Sequence, residues 1–425
     1  MVRPLVLAVV LLFAMPAFAD EKPFPKPLKD GEKVKTDGWF GKKVLPKQDE
    51  KDIRMGDWKD GKQETWTTHN LLNCTVREER SGFLRVFDTC REGWVSKDAM
   101  VTVEDAPAYF DKIVKDKPGE WYGWHMRGVA WRKKGEYDNA IKDLTEAIRL
   151  KPGNGTDYSI RGNAWRDKNE YNKAIADFTE AIRLDPKDAI TFSNRGNAWY
   201  DKKEYDKAIA DYTEAIRLDP KNVYAFYGRG GVWCAKREYD KAISDCTDAI
   251  RLDPKCVYAL HGRGSAWFGK KEYLKAVADY DAVLTLDSNE AYAHGNRGLT
   301  SAMLKKFDDT VAGFEKALEL NPQLGFDRDY AKFRASCPEA KYRDGKKAVA
   351  LAKKAIEKAG KDADWEYSDA LAMAYAEASD FELAVAEQRK AIELLKAEKL
   401  PDKDDIKKAE ERLELYRAKK PYRDE

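Results

Sequence analysis

A glycine recurs every 34 residues through the middle of the chain, at Gly128, Gly162, Gly196, Gly230, Gly264 and Gly298. Each follows an arginine, and the first five precede a tryptophan by three residues: Trp131, Trp165, Trp199, Trp233 and Trp267. A fixed period of this length means one supersecondary unit copied and stacked on itself, because a single copy cannot bury its own apolar face. Such arrays present surfaces and seldom perform chemistry. The constraint points to binding without naming what is bound.

One copy shows the unit. Tyr158, Arg161, Gly162 and Trp165 are spaced by three and four residues and share a helical face. Asp167-Lys168-Asn169-Glu170 breaks the pattern and reads as a turn. Tyr171, Ala174, Ile175, Phe178, Ala181 and Ile182 then resume helical spacing, and Leu184-Asp185-Pro186 stops it, since proline cannot continue a helix. The unit is a helical hairpin, with Gly162, Ala174 and Ala181 expected to let helix backbones approach closely. The second-helix alanine recurs at Ala140, Ala174, Ala208, Ala242 and Ala276, and the stops at Pro152, Pro186, Pro220, Pro254 and Pro322, with Ser288 the exception.

The aromatic–glycine–aromatic run, the tyrosine–alanine pair, the second alanine and the closing proline resemble the tetratricopeptide repeat (TPR). The resemblance covers six repeats over 121–324 and implies a mainly α fold: a right-handed α-solenoid of helical hairpins. Two divergent hairpins follow over 325–398, and 399–425 holds a charged amphipathic helix suited to cap the array. A lead-in helix is expected within 104–120. The sixth repeat has Ser301 for tryptophan, Thr310 for alanine, and Gly313 inside a helix at a cost of about 1 kcal/mol, which predicts local loosening.

The resemblance also implies that the first helix of each repeat lines a concave groove receiving a peptide or partner helix. That face carries Tyr122, His125, Val129 and Arg132, then Ser159, Asn163 and Arg166, then Ser193, Asn197 and Tyr200. Further along it carries Tyr224, Tyr227 and Cys234, then Tyr258, His261, Ser265 and Phe268, and finally Tyr292. The groove therefore passes from polar to aromatic. Tyrosine suits recognition because it offers area and a polar tip with few rotamers to lose. Tyr224, Tyr258 and Tyr292 share the 34-residue period, which favours a packing role for them, whereas Tyr200, Tyr227, Phe268, His125 and His261 do not recur uniformly and are the better recognition candidates. Some repeats of this kind clamp a partner's terminal carboxylate. Here Asn163 and Asn194 match the clamp's asparagines, but Ser159, Tyr224 and Gly228 stand where its cations belong.

The arginine before each glycine is matched by a periodic aspartate in the second helix, at Asp143, Asp177, Asp211, Asp245 and Asp279. Repeated opposite charge predicts inter-helix pairing rather than a ligand ladder. Pairing with the preceding repeat's aspartate would set Arg297 on Asp279 and leave Arg127 over.

Arg3, an apolar run from Leu5 to Phe13 and Ala17-Phe18-Ala19 read as a secretory signal over 1–19, so the expected address is periplasmic or secreted. Residues 20–37 form a lysine/proline-rich linker. Over 38–103, Gly41 to Pro46, Phe83-Leu84-Arg85-Val86 and Arg91-Glu92-Gly93-Trp94-Val95 read as strands, while 49–70 shows no clear alternation. This segment resembles the bacterial SH3-like β-barrel, which implies cell-wall peptide binding as one option; the other is that Phe83 and Trp94 only fill a core. Export permits disulfides, and Cys74 and Cys90 are the candidate pair, although spacing alone leaves it open.

Net charge is +2 with 36% charged residues interspersed, so no basic stripe exists for nucleic acid. No cysteine or histidine set has metal-ligand spacing, and no phosphate loop, nucleophile elbow or acid pair is identifiable. The reading is an exported, non-enzymatic scaffold without cofactor or metal, binding a protein or peptide in the groove. The alternative makes the SH3-like domain a peptidoglycan-binding module with the array as spacer or dimerisation arm.

Overall fold

The computed structural model describes residues 43–46, 54–59, 62–67, 74–80, 83–87, 92–96, 100–398 and 402–424. The chain divides into two compact units, Met1–Pro186 and Lys187–Glu425.

In the first unit, seven short strands form one antiparallel sheet: β1 (Lys43–Pro46), β2 (Arg54–Lys59), β3 (Lys62–Thr67), β4 (Cys74–Arg80), β5 (Phe83–Phe87), β6 (Glu92–Ser96) and β7 (Met100–Thr102). Their order is β3-β2-β6-β5-β4-β1-β7, and no pairing between the edges β3 and β7 closes it into a barrel among the described residues. The β2–β3 hairpin, from Arg54 opposite Thr67 to Lys59 opposite Lys62, occupies the stretch where alternation gave no strand. Cys90 and the side chains of Cys74, Phe83 and Trp94 lie outside the described residues.

Leu45 and Val101 of this sheet, and Val103 just after it, meet Ala106 and Phe110 of α1 (Ala106–Asp116) and Met126, Val129 and Ala130 of α2 (Trp121–Lys133) in one apolar cluster. α2 pairs with α3 (Tyr137–Leu150), and α4 (Gly155–Asp167) with α5 (Tyr171–Leu184).

The second unit repeats the motif in α6 (Ala189–Asp201) with α7 (Tyr205–Leu218), α8 (Val223–Ala235) with α9 (Tyr239–Leu252), α10 (Val257–Gly269) with α11 (Tyr273–Leu286), and α12 (Ala291–Met303) with α13 (Phe307–Leu320). α14 (Phe326–Ser336) pairs with α15 (Gly345–Ala359), α16 (Trp365–Glu377) with α17 (Phe381–Lys396), and α18 (Lys403–Arg417) packs on α17. Asp369 is buried where α16, α17 and α18 meet, accepting from Gln388 Nε2 at 3.0 Å and Arg412 Nε at 2.9 Å. This network fixes the seat of the charged last helix.

The turns explain the tryptophans. Residues just beyond each first helix take positive φ: Gly135 at 80°, Asn169 at 61°, Lys203 at 63°, Arg237 at 60° and Lys271 at 62°. The next backbone N–H then returns to the tryptophan carbonyl, as in Glu170 to Trp165 and Glu204 to Trp199, both at 2.9 Å, closing the helix end. A lysine eight residues on covers the indole, with Lys173 4.5 Å from the Trp165 ring and Lys241 4.4 Å from that of Trp233.

The first five periodic glycines, Gly128 to Gly264, each seat a side chain rather than a bare backbone. A Cβ at Gly162 would stand 2.8 Å from the Phe178 ring, and one at Gly264 2.8 Å from that of Tyr280. In the fourth repeat the covering group is the Cys246 sulfur, 2.7 Å from such a Cβ at Gly230. The sixth repeat alone among these six brings backbones together: a Cβ at Gly313 would lie 2.8 Å from Gly298 Cα and 2.7 Å from the His294 carbonyl. Gly313 is thus the means of a close crossing of α12 and α13. The departures at Ser301, Thr310 and Gly313 are all buried in these helices.

The arginines pair forward. Arg161 donates from Nε to Asp177 at 2.8 Å, Arg195 to Asp211 at 2.7 Å, Arg229 to Asp245 at 2.8 Å and Arg263 to Asp279 at 2.9 Å. Each aspartate is buried in the arginine's own hairpin, so the preceding-repeat register is wrong: Arg127 takes Asp143 at 2.7 Å, and Arg297, lacking an aspartate at 313, turns back to Asp281 at 2.6 Å. The free Nη1 reaches the preceding second helix, to Asp111 from Arg127, Thr145 from Arg161, Thr213 from Arg229 and Thr247 from Arg263.

Removing one member of a buried pair strands the other. Asp245→Ala is expected to lower stability in urea unfolding by about 3 kcal/mol, while Glu214→Ala, in the exposed Glu214–Arg217 pair, leaves the midpoint unchanged. Equal midpoints would mean that the ladder holds nothing.

Two glycine replacements separate packing from propensity. A Cβ at Gly231 meets open space, so Gly231→Ala is expected to stabilise by about 0.8 kcal/mol. Gly313→Ala is expected to destabilise by about 2 kcal/mol through overpacking. Thermal unfolding showing Gly313→Ala to be the more stable of the two would rule out the close crossing.

Candidate functional site

The first helices of the hairpins carry the face on which recognition was expected, and the two units treat it differently. In the first unit the face is spoken for. His125 is 5% exposed, and its Nδ1 is hydrogen-bonded to the fully buried Asp157, whose other oxygen accepts from Asn154 Nδ2 at 2.7 Å. Tyr122 stacks on the His125 ring at 6.3 Å and meets Phe110 edge-on at 6.4 Å. Arg132 donates to Asp167 at 2.8 Å, and Asn163 and Arg166 are half-buried. His125, expected as a recognition residue, is therefore a packing residue. Asp157 was not foreseen because no spacing rule links a helix-start acid to a histidine 32 positions earlier.

In the second unit the face opens. Asn197 is held between two tyrosines, accepting from the Tyr212 hydroxyl and donating to that of Tyr224. Tyr224 meets Tyr227 edge-on at 5.1 Å, and Tyr227 stacks on Tyr258 at 5.6 Å with planes 23° apart. Tyr258 is 71% exposed and Tyr292 54%, whereas Tyr224, the third residue for which the period favoured packing, is half-buried. Ile190, one period before Tyr224, is 64% exposed. At Ile190, Tyr258 and Tyr292 the repeated position faces outward, because the second residue of the first helix precedes the part gripped by the hairpin.

The remaining candidates sit deeper. Tyr200 is exposed beside Tyr205 at 5.8 Å, and Phe268 is half-buried against Tyr273 at 5.5 Å. His261 is bonded through Nε2 to Glu290 at 3.1 Å and lies 5.9 Å from the Tyr280 ring. Both inner histidines thus have acid partners that sequence spacing did not reveal. Among the described residues no group of histidines, cysteines and acids could hold a metal ion.

Past Tyr224 and Tyr227 the fourth repeat carries small side chains. Tyr200 and Tyr212 of the third repeat are succeeded by Cys234 and Cys246, and Asn194 and Asn197 by Gly228 and Gly231. Cys246 is fully buried, and Cys234 lies 3.7 Å from the Gly262 carbonyl. Burial pushes the Cys234 thiol up to about 11 and raises that of Cys246 too, first by burial and then by the nearby Cys234. A raised thiol stays protonated at neutral pH. Maleimide labelling of the full chain at pH 7.5, read by peptide mapping, is expected to modify Cys234 far more slowly than free cysteine, with the rate climbing as pH nears 11. Rapid labelling at pH 7.5 would contradict that burial.

Comparison with known proteins agrees with the hairpin geometry. Models of the tetratricopeptide repeat match residues 121–154, 162–203, 189–222 and 234–291. The chain carries tetratricopeptide repeats. A search of curated proteins gives no match. The Cut9–Hcn1 hetero-tetramer of the APC/C is similar in fold, at 17% identity over 64% of this chain and 52% of that chain, with a TM-score of 0.52. A tetratricopeptide repeat protein from Parabacteroides merdae ATCC 43184 covers 70% of this chain and 98% of its own at 17% identity and a TM-score of 0.42. YrrB, described as a TPR protein with an unusual peptide-binding site, covers 44% and 96% at 24% identity and a TM-score of 0.35.

Proposed function

We propose that this protein is an exported, non-enzymatic scaffold that binds a segment of a partner protein in the groove formed by the first helices of its repeats. Tetratricopeptide repeats generally mediate protein–protein interaction. The observation that carries the reading here is the outward row of Tyr258 and Tyr292, large aromatics exposed on helices whose other faces are packed. Export is supported by the signal-like residues Arg3 and Leu5 to Phe13 and by Ala17-Phe18-Ala19. The resemblance of Phe83-Leu84-Arg85-Val86 and Arg91-Glu92-Gly93-Trp94-Val95 to the SH3-like pattern is what supports reading 38–103 as such a domain, with cell-wall contact as its proposed role.

A photoreactive phenylalanine analogue at Tyr258 tests the groove, with the same analogue at Leu274, exposed on α11, as the comparison. Mixed with the parent organism's exported proteins, the Tyr258 probe is expected to give a discrete adduct that the Leu274 probe does not. Identical adducts, or none, from both positions would remove the groove as the working surface. Sedimentation of the full chain with purified peptidoglycan addresses the sheet domain separately.

A further inference from the structure

One tripeptide occurs twice in the second unit. Tyr342-Arg343-Asp344 lies between α14 and α15, and Tyr422-Arg423-Asp424 follows α18. Both copies come to the same place. Arg343 donates from Nε to Glu377 Oε1 at 3.1 Å, and Arg423 Nη2 pairs with Glu377 Oε2 at 2.6 Å. The Tyr342 ring meets Phe307 at 5.5 Å and Phe333 at 6.2 Å. Tyr422 shares with those two rings the wall of a cavity of about 380 Å3. One carboxylate at the end of α16 thus holds two guanidinium groups, and one ring wall receives two phenols.

The two copies are built in to different depths. Tyr342 is buried, its hydroxyl donates to Asp308 at 2.8 Å, and Asp344 caps α15 by accepting from the Lys347 N–H at 2.9 Å. The second copy starts no helix or strand: Lys420 to Asp424 has no regular secondary structure, with Tyr422 and Arg423 half-buried and Asp424 exposed. It is held as a bound peptide would be, by main chain and charge. The Asp424 N–H donates to the Ser336 carbonyl at 3.0 Å, and Ser336 Oγ donates to the Asp424 carboxylate. Arg423 Nη1 donates to the Ala335 carbonyl at 3.3 Å, and Arg412 lies 5.6 Å from the Tyr422 ring.

Two features let this copy leave without harm to the fold. With Arg423 withdrawn, Glu377 keeps Arg343, so no buried charge is stranded. Tyr422 also lines the cavity without filling it, so Met303, 48% exposed, and the buried Cys337 border space that the segment does not use. The link to α18 is short, which keeps the segment at an effective concentration on the order of millimolar and masks the site from weaker competitors.

We propose that Lys420–Asp424 is a self-ligand, occupying in cis a docking site for a partner segment that carries an aromatic residue, an arginine and an acid in a row, and that the partner enters by displacing it. The site is distinct from the tyrosine row of α8 to α12, and the two readings stand or fall apart. The probe is a fluorescein-labelled heptapeptide of residues 419–425, Lys-Lys-Pro-Tyr-Arg-Asp-Glu, titrated with the full chain by anisotropy. The full chain carrying Tyr422→Ala and Arg423→Ala is expected to bind it saturably, at least about tenfold more tightly than the parent, whose own segment competes. A heptapeptide with glutamine in place of its arginine is expected to bind that variant at least about tenfold more weakly. Helical circular dichroism of parent and variant is expected to be equal. No binding to the variant, equal binding by parent and variant, or indifference to the glutamine change overturns the proposal. Lost helicity in the variant does so too, by making the segment part of the fold. Sedimentation of the parent addresses a second copy as the source: a dimer that Arg423→Ala dissolves would place the segment in trans and overturn the assignment in cis.

Discussion

The arginine fork decides where everything else in a repeat can sit. Its Nε and Nη2 grip an aspartate buried in the same hairpin, as Arg229 does with Asp245 at 2.8 Å, while Nη1 reaches Thr213 of the previous hairpin at 2.9 Å. One rigid, planar cation therefore sets both the crossing within a hairpin and the step to its neighbour. With that face of the first helix fixed inward, the opposite face points to the groove. The glycine beside each arginine completes the arrangement by admitting a side chain of the second helix, or at Gly298 its backbone.

Variation on this frame is concentrated on the side the fork leaves free. Ser193, Tyr227, His261 and Gly295 occupy equivalent places one period apart, yet range from no side chain to a phenol. The second-helix position that covers the glycine also varies, from Phe178 through Tyr212 to Cys246 and Tyr280. Its tip reaches the groove, as the Tyr212 hydroxyl does in bonding Asn197. Core and surface are thus coupled: shrinking one buried ring to a thiol lowers the groove floor above it.

Legibility in the sequence followed the range of the interaction. Hairpins, turns and the charged last helix were readable because each depends on local spacing, as between Tyr171 and Ala174 or before Pro186. The strands β2 and β3 were not, since Arg54–Lys59 and Lys62–Thr67 alternate weakly and declare themselves only through each other's backbone. The arginine–aspartate pairing was foreseen as a type of contact but not in its register, because a constant period fits either neighbour equally well. The site was the least readable part. Period alone gave Tyr258 and Tyr292 a packing role, and only the three-dimensional position of a helix's second residue shows that it faces outward. The partners of His125 and His261 lie 32 and 29 residues away, beyond any local rule.

The turns between paired helices carry a consequence for how the array folds. Beyond the first hairpin, which has Gly135, the left-handed turn position falls to Asn169, which tolerates it, and then to Lys203, Arg237, Lys271 and Lys305, side chains that disfavour it by about 1 kcal/mol or more each. An isolated hairpin holds that unfavourable turn while missing the Nη1 contact that only a neighbour supplies. Single repeats are therefore poor folding units, and order must spread by recruiting adjacent copies. Local intrinsic instability set against strong coupling makes a repeat array cooperative over several hairpins, so a groove that spans four of them can be lost or gained as one.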